Sequence, residues 1–200
     1  MTAIFWNERF KQEAYVYGEA PNDFVATHGH LLPPGSRVLS LGEGEGRNAT
    51  HLAARGSLVT ALDSSEEGFE KLKRLAEKRG VTVETVLGDV TTSDMGTDRW
   101  DAILDIYCHL PGAVRGRLYE NIRRALKPGG MFMTEQFAPG QLAYQSGGPK
   151  DLDMLLPLSE LTAAFDGWEV LVASEEVVQL DEGPFHQGAA AVTRFIARKP

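Results

Sequence analysis

Cysteine is nearly absent. Cys108 is the single one in 200 residues, which excludes an intrachain disulfide framework and a multi-cysteine zinc site and points to a reducing compartment. Long apolar runs are missing too: none approaches the roughly 18 residues that a membrane helix needs. The opening MTAIFWNERF lacks a basic stretch followed by an apolar core. A cytoplasmic chain with no membrane partner is expected. Positive charge is in short supply, with 20 Lys plus Arg against 28 Asp plus Glu and a formal net charge of −8. No basic run is available to neutralise a phosphate backbone, so nucleic acid is not expected as a partner. Internal repeats and low-complexity tracts are also lacking. With 42% apolar and 24% charged residues, disordered, collagenous and fibrous classes are excluded, and the length fits one globular domain.

What the chain does have is alternation. From Arg37 onward, short apolar runs are followed by turns and then by segments of helical spacing, the pattern of a parallel sheet covered by helices. Strands are expected at 37–41, 58–62, 81–87, 100–107 and 131–137. Phe69, Leu72, Leu75 and Ala76 mark one helix, started by Ser64 or Ser65 and stopped by Gly80. Val114, Leu118, Ile122 and Leu126 mark another, ended by Lys127-Pro-Gly-Gly130. Residues 138–157 show little periodicity and read as a substrate-side lid. After a short helix near 159–165, strands at 168–180 and 188–197 are joined by so short a connection that antiparallel pairing is the simplest arrangement.

The strongest chemical signal is Gly42-Glu-Gly-Glu-Gly46-Arg-Asn48 between a strand and a helix, followed by Asp63 at the end of the next strand. Glycines let a ligand approach the backbone, a helix N-terminus favours a carboxylate or phosphate, and an acid after the second strand can accept from ribose hydroxyls. Gly88-Asp89-Val90 follows the third strand and agrees with a nucleoside site. The spacing is G-x-G-x-G, and the dinucleotide fingerprint would require Gly where Arg47 stands. That weakens a nicotinamide reading without removing it.

These motifs, with the K-P-G-G turn, resemble the class I S-adenosylmethionine-dependent methyltransferases over nearly the whole chain. Tyr15-Val-Tyr-Gly18, Pro21-Asn-Asp-Phe24, Cys108-His-Leu-Pro111 and His186-Gln-Gly188 resemble, more narrowly, the small bacterial methyltransferases related to tellurite-resistance proteins. The resemblance implies an α/β, Rossmann-like, doubly wound and mostly parallel seven-stranded sheet with a final antiparallel strand and helices on both faces. Residues 1–200 would form one domain, with 1–34 a helical cap or lid and 35–200 the core. S-adenosyl-L-methionine would be the cofactor, and its site would comprise the backbone at Gly42, Glu43, Gly44 and Gly46, with Arg47, Asn48, Ser64 and Tyr107. Asp63 would hold the ribose, Asp89 the adenine amino group, and Val90 would pack beside the base. The family places an acid two positions before the first glycine, where this chain has Ser40, so Glu43 or Glu45 is the substitute for holding the ammonium group.

A small molecule with a sulfur, chalcogen or oxygen acceptor atom is the expected partner, and aligning it is the main task. His186, His109 and Tyr17 are the candidate catalytic residues. A histidine near neutrality can take a proton or orient an oxyanion, and Tyr17 or Tyr107 can offer a ring face to a sulfonium. Each can equally be a packed or hydrogen-bonded structural residue. Arg47 opens a helix against its dipole, which calls for a compensating anion: a ligand carboxylate, Glu43 or Glu45. Trp6, Phe10 and Phe24 suit an apolar flap over the cofactor or plain packing. His28-x-His30 has no matching ligands, and no metal site is expected. The rival readings are a nicotinamide-dependent oxidoreductase and a non-catalytic S-adenosylmethionine-binding module.

Overall fold

The run at Arg37–Leu41 (β1) is buried beyond its first residue, as a strand covered by helices on both faces requires. The computed structural model describes residues 2–200. After α1 (Ala3–Phe10), α2 (Asp23–His28) and β1 come α3 (Arg47–Ala54), β2 (Leu58–Asp63), α4 (Glu66–Arg79), β3 (Glu84–Leu87) and β4 (Trp100–Ile106). The chain ends with α5 (Gly112–Ala125), β5 (Leu126–Phe137), α6 (Leu158–Ala164), β6 (Glu169–Asp181) and β7 (Gln187–Arg198). One seven-stranded sheet has the order β3-β2-β1-β4-β5-β7-β6. β1 to β5 pair in parallel, and β7 runs antiparallel to both neighbours. Among the described residues, no helix is long and apolar enough to cross a membrane.

Period-two alternation divides each strand between two cores. Leu104, Met133 and Ile196 face one side with Leu52, Phe69 and Leu72 of α3 and α4. Ile103, Phe132 and Phe195 face the other with Leu118, Ile122 and Leu161 of α5 and α6. Phe24 belongs to the first core and is 2% exposed, so it is a packing residue rather than part of a flap. α4 is bounded by the residues that the spacing marks: Ser65 accepts from Gly68 N at 3.0 Å, and Gly80 ends the helix at φ 65°.

Several boundaries differ from expectation. β3 starts at Glu84 rather than at 81. Leu126, expected on a helix face, opens β5 and pairs with Trp100, and the register shifts so that Met131 pairs with Ala102. The residues between them turn out to meet the C-terminus, where Lys199 N donates to Gly130 O at 2.8 Å. Residues 138–157 contain two 3-10 turns, at Pro139–Ala143 and Leu152–Met154. They are tied down by buried Gln141, whose carbonyl accepts from Ala191 N at 2.8 Å. A side chain holds this segment, which backbone periodicity does not reveal.

The β6–β7 hairpin reaches back over the cleft. Its tip closes with Glu182 N donating to His186 O at 2.9 Å. Gly183, at φ 75°, lies so close to residues 16–18 that a Cβ there would be 2.3 Å from Gly18 N. Only glycine permits this approach, which delivers Glu182 and His186 to the cleft.

Candidate active site

Parallel strands end together, so β1, β2 and β4 present their carboxyl edges to one crevice. A cavity of about 470 Å³ lies there, within the roughly 300–1,000 Å³ of small-molecule sites. Every residue of the expected cofactor set lines it except Gly46, and Tyr17, His109 and His186 line it as well. Gly46 serves packing instead: a Cβ there would be 2.5 Å from Leu72 Cγ, so the glycine lets α3 approach α4.

Asp63 braces the loop. It accepts from Gly44 N and from Ser65 N, each at 2.8 Å. Burial pushes its carboxyl up, and these backbone donors pull it down. A carboxylate has about four acceptor sites, which leaves two for a ligand diol. Asp89 receives Thr91 N and Thr91 Oγ on the same oxygen, Oδ1, so Oδ2 can serve an exocyclic amine. Val90 is buried beside it. The acceptor set thus fits an adenosine, and Asp63, Asp89 and Val90 are the residues that would hold it.

The glutamates are used differently from the expectation. Glu43 Oε1 accepts from Asn48 N at 3.0 Å and Ala49 N at 2.9 Å, and its other oxygen accepts from Ser40 Oγ. Glu43 is therefore the cap of α3, which Gly46 cannot supply for lack of a side chain. Glu45 forms a buried pair with Lys71 at 2.6 Å and accepts from Val16 N and Tyr17 N. Most of their acceptor sites are thus taken by the protein itself. Arg47 pairs with neither of them: its partner is Glu182 at 2.9 Å. Asn48 accepts from Asn22 N at 2.9 Å and so anchors the N-terminal segment.

On the opposite wall, Tyr17 Oη accepts from Arg9 at 2.9 Å, and its ring lies 4.6 Å from that of His186. Trp6 and Phe10 line the mouth beside Arg9. His186 Nδ1 is 3.4 Å from Glu182 Oε2. Burial lowers the His186 pKa, and Glu182 opposes that. Glu182 itself is held down to about 2 despite its burial, through His186 and Arg47. A neutral imidazole whose Nδ1–H faces a carboxylate offers Nε2 as a base, the arrangement of an oriented general base.

His109 and Asp105 have unusual protonation. Burial holds His109 down to about 3, with His186 adding to the effect. Burial lifts Asp105 to about 7 against the hydrogen bond from Gln136. The stability contributed by Asp105, raised from 3.8, is complete below that value and is lost as pH rises to about 7. That of His109 is complete above 6.5 and is lost as pH falls towards about 3. In the shared window the folded chain keeps its proton on Asp105 and the unfolded chain keeps it on His109, so the two slopes cancel. In Asp105→Asn the histidine slope stands alone. Urea unfolding is expected to show this variant losing ~1.4 kcal/mol per pH unit relative to wild type, ~3 kcal/mol between pH ~6.5 and ~4. Parallel curves over that window would contradict the assignment.

Glu182, Lys71, Arg9 and Asp105 were not singled out by sequence reasoning. Asp105 carries a readable signal, an acid inside the apolar run 100–106. Glu182 and Lys71 meet partners far along the chain, Arg9 meets Tyr17 across a turn, and none of the three spacings repeats in a way that marks the contact. Among the described residues, no group of three or more His, Cys, Asp or Glu is disposed to hold a metal.

Crevice, loop and paired aspartates are those of a Rossmann-like methyltransferase fold, and S-adenosylmethionine is the cofactor that this fold and the matching domain imply. Residues 38–130 match the family described as "Methyltransferase domain". A sterol 24-C-methyltransferase of Gibberella zeae is 31% identical over 136 residues, 64% of this chain and 36% of that protein. TehB from Haemophilus influenzae shares the fold with a TM-score of 0.74 at 20% identity, over 98% of this chain and 66% of that one. A SAM-dependent methyltransferase from Aquifex aeolicus gives 0.67 at 16% identity, over 100% of both chains. The chain spans 36% and 41% of the length of the first two sterol methyltransferases it matches.

Proposed function

We propose that this chain transfers a methyl group from S-adenosylmethionine to a small-molecule acceptor through a thiol, chalcogen oxyanion or hydroxyl. The observation that carries the reading is the Glu182–His186 pair on the cavity that Asp63, Asp89 and the glycine loop also line. The bound cofactor supplies a methyl carbon already activated by positive sulfur. The protein has to align the acceptor, exclude water and take up a proton. His186 Nε2 takes the proton that a thiol or hydroxyl loses, and Glu182 stabilises the imidazolium. Tyr17 and Tyr107 offer ring faces, an attraction of roughly 0.5–2 kcal/mol to a desolvated cation. The relatives named for sterol 24-C methylation make a carbon acceptor the competing reading. A base beside the cavity, able to take the proton of a thiol or hydroxyl, favours the heteroatom.

Calorimetry with S-adenosylhomocysteine and with NAD, followed by label transfer from radiolabelled cofactor to thiols, oxyanions, phenols and sterols, tests the reading. Binding of the homocysteine derivative and labelling of a thiol, oxyanion or phenol are expected. His186→Ala is expected to keep cofactor affinity within about threefold and to slow turnover roughly 10²- to 10⁴-fold, the usual range for a general base. Tight binding of NAD alone would identify an oxidoreductase. Cofactor binding with no label transfer to any acceptor would identify a binding module. Labelling of sterols alone would move the acceptor to carbon.

A further inference from the structure

Behind His109 lies a second cavity of only about 10 Å³, close to the least that holds one water, on the order of 10–15 Å³. Asp105, Gln136, Arg115, Tyr119 and His109 line it. His109 lines the large cavity as well. Its Nδ1 is buried with no hydrogen-bond partner among the described residues, and so is Gln136 Oε1. Gln136 Nε2 donates to Asp105 Oδ1 at 2.9 Å, which turns the amide oxygen away from that contact. The other polar walls are committed elsewhere. Arg115 donates to Glu160 and to the carbonyls of Leu110 and Asp153, and Tyr119 Oη donates to Glu160 at 3.2 Å.

Above about pH 7 Asp105 is a carboxylate, and a carboxylate and an amide oxygen can only accept hydrogen bonds. One water satisfies the site if it donates to Asp105 and to Gln136 Oε1 and accepts from His109. Three such bonds are the usual complement of a buried water. The geometry points to a function for this arrangement: we propose that a single water held by Asp105 and Gln136 fixes His109 as its Nδ1–H tautomer. Nε2 is thereby left as a hydrogen-bond acceptor in the large cavity. Asp105 and Gln136 are positioning residues, and among the acceptors proposed above His109 favours those that carry an S–H or O–H over a bare oxyanion. Its role in acceptor choice rests on the methyltransferase reading, whereas the tautomer does not. A site built to accept a particular donor discriminates against analogues that lack it, because its own polar atom is then left unpaired.

The test is the ring ¹⁵N spectrum of His109 in the whole chain, assigned with His109→Gln and recorded well above the Asp105 midpoint of about 7, where the carboxylate only accepts. The expected wild-type signal is a protonated Nδ1 and an unprotonated Nε2. In Asp105→Leu the water loses its anchor, and in Asp105→Asn an amide donor turns the water's hydrogens towards His109. Both variants are expected to shift the ring predominantly to Nε2–H while S-adenosylhomocysteine affinity stays within about threefold, which reports a folded cleft. A wild-type Nε2–H ring would overturn the proposal, as would an unchanged tautomer in two folded variants. The spectrum needs no turnover. Absent methyl transfer with a protonated Nδ1 therefore removes only the functional reading, and a protonated Nε2 with methyl transfer removes only this one.

Discussion

Asp63→Ala is expected to raise the Kd for S-adenosylhomocysteine by two to four orders of magnitude. Hydrogen bonds to a charged group contribute about 1.5–3 kcal/mol each, and each ~1.4 kcal/mol is tenfold in affinity. A ribose offers two hydroxyls to the two acceptor sites that Gly44 N and Ser65 N leave open. The substitution acts twice, because the same carboxylate holds the glycine loop in place. Asp63→Asn separates the effects: it keeps the volume but sets an amide N–H against a backbone N–H and removes the charge, so an intermediate loss is expected. Calorimetric titration of the three proteins decides the matter. Affinity of Asp63→Ala within threefold of wild type would show that the nucleoside lies elsewhere.

Lys71→Ala is expected to lower the unfolding free energy by about 3–5 kcal/mol, the usual effect of leaving one member of a buried ion pair alone. The side chains of Lys71 and Glu45 are 2% and 3% exposed, so water cannot replace the lost partner. Lys71 Nζ also donates to Ala14 O at 2.7 Å, and Tyr15 Oη donates to Lys71 O at 2.9 Å. This one lysine therefore binds residues 14–17 to α4 and, through Glu45, to the glycine loop. Denaturant titration is expected to show most of the loss recovered in the double variant Glu45→Gln, Lys71→Met, which buries no charge. A single variant within ~1 kcal/mol of wild type would mean that Glu45 finds solvent or another cation. The placement of Tyr17 depends on the same contacts, so the single variant should also weaken the cleft.

The sheet was legible because buried strands and amphipathic helices write their periods directly into sequence, as at 37–41 and at Phe69, Leu72 and Leu75. The nucleoside end was legible for a related reason: the strand, glycine turn and following acid are neighbours in both sequence and space. Site chemistry built by distant contacts was not. Arg47 and Glu182 are 135 positions apart, and the docking of Gly183 on Gly18 and the bond from Asn22 to Glu182 bring them together. Glu43 and Glu45 show the opposite limit. Their position in the loop was readable, but which donors each would meet depends on side-chain direction, and both are spent on the protein itself. Residues 138–157 looked structureless because Gln141, not a repeating apolar face, holds them.

The glutamate that closes α3 also bears on which ligands the crevice refuses. Proteins of similar outline seat a pyrophosphate on the free amides where the helix begins after the first strand. In this chain Asn48 N and Ala49 N already hold a buried carboxyl. An arriving diphosphate would have to displace an anion tethered by covalent chain, with no cation released to compensate. The cap thus works against a diphosphate at the one turn where a dinucleotide would otherwise gain most, while an adenosine without phosphates need not disturb it.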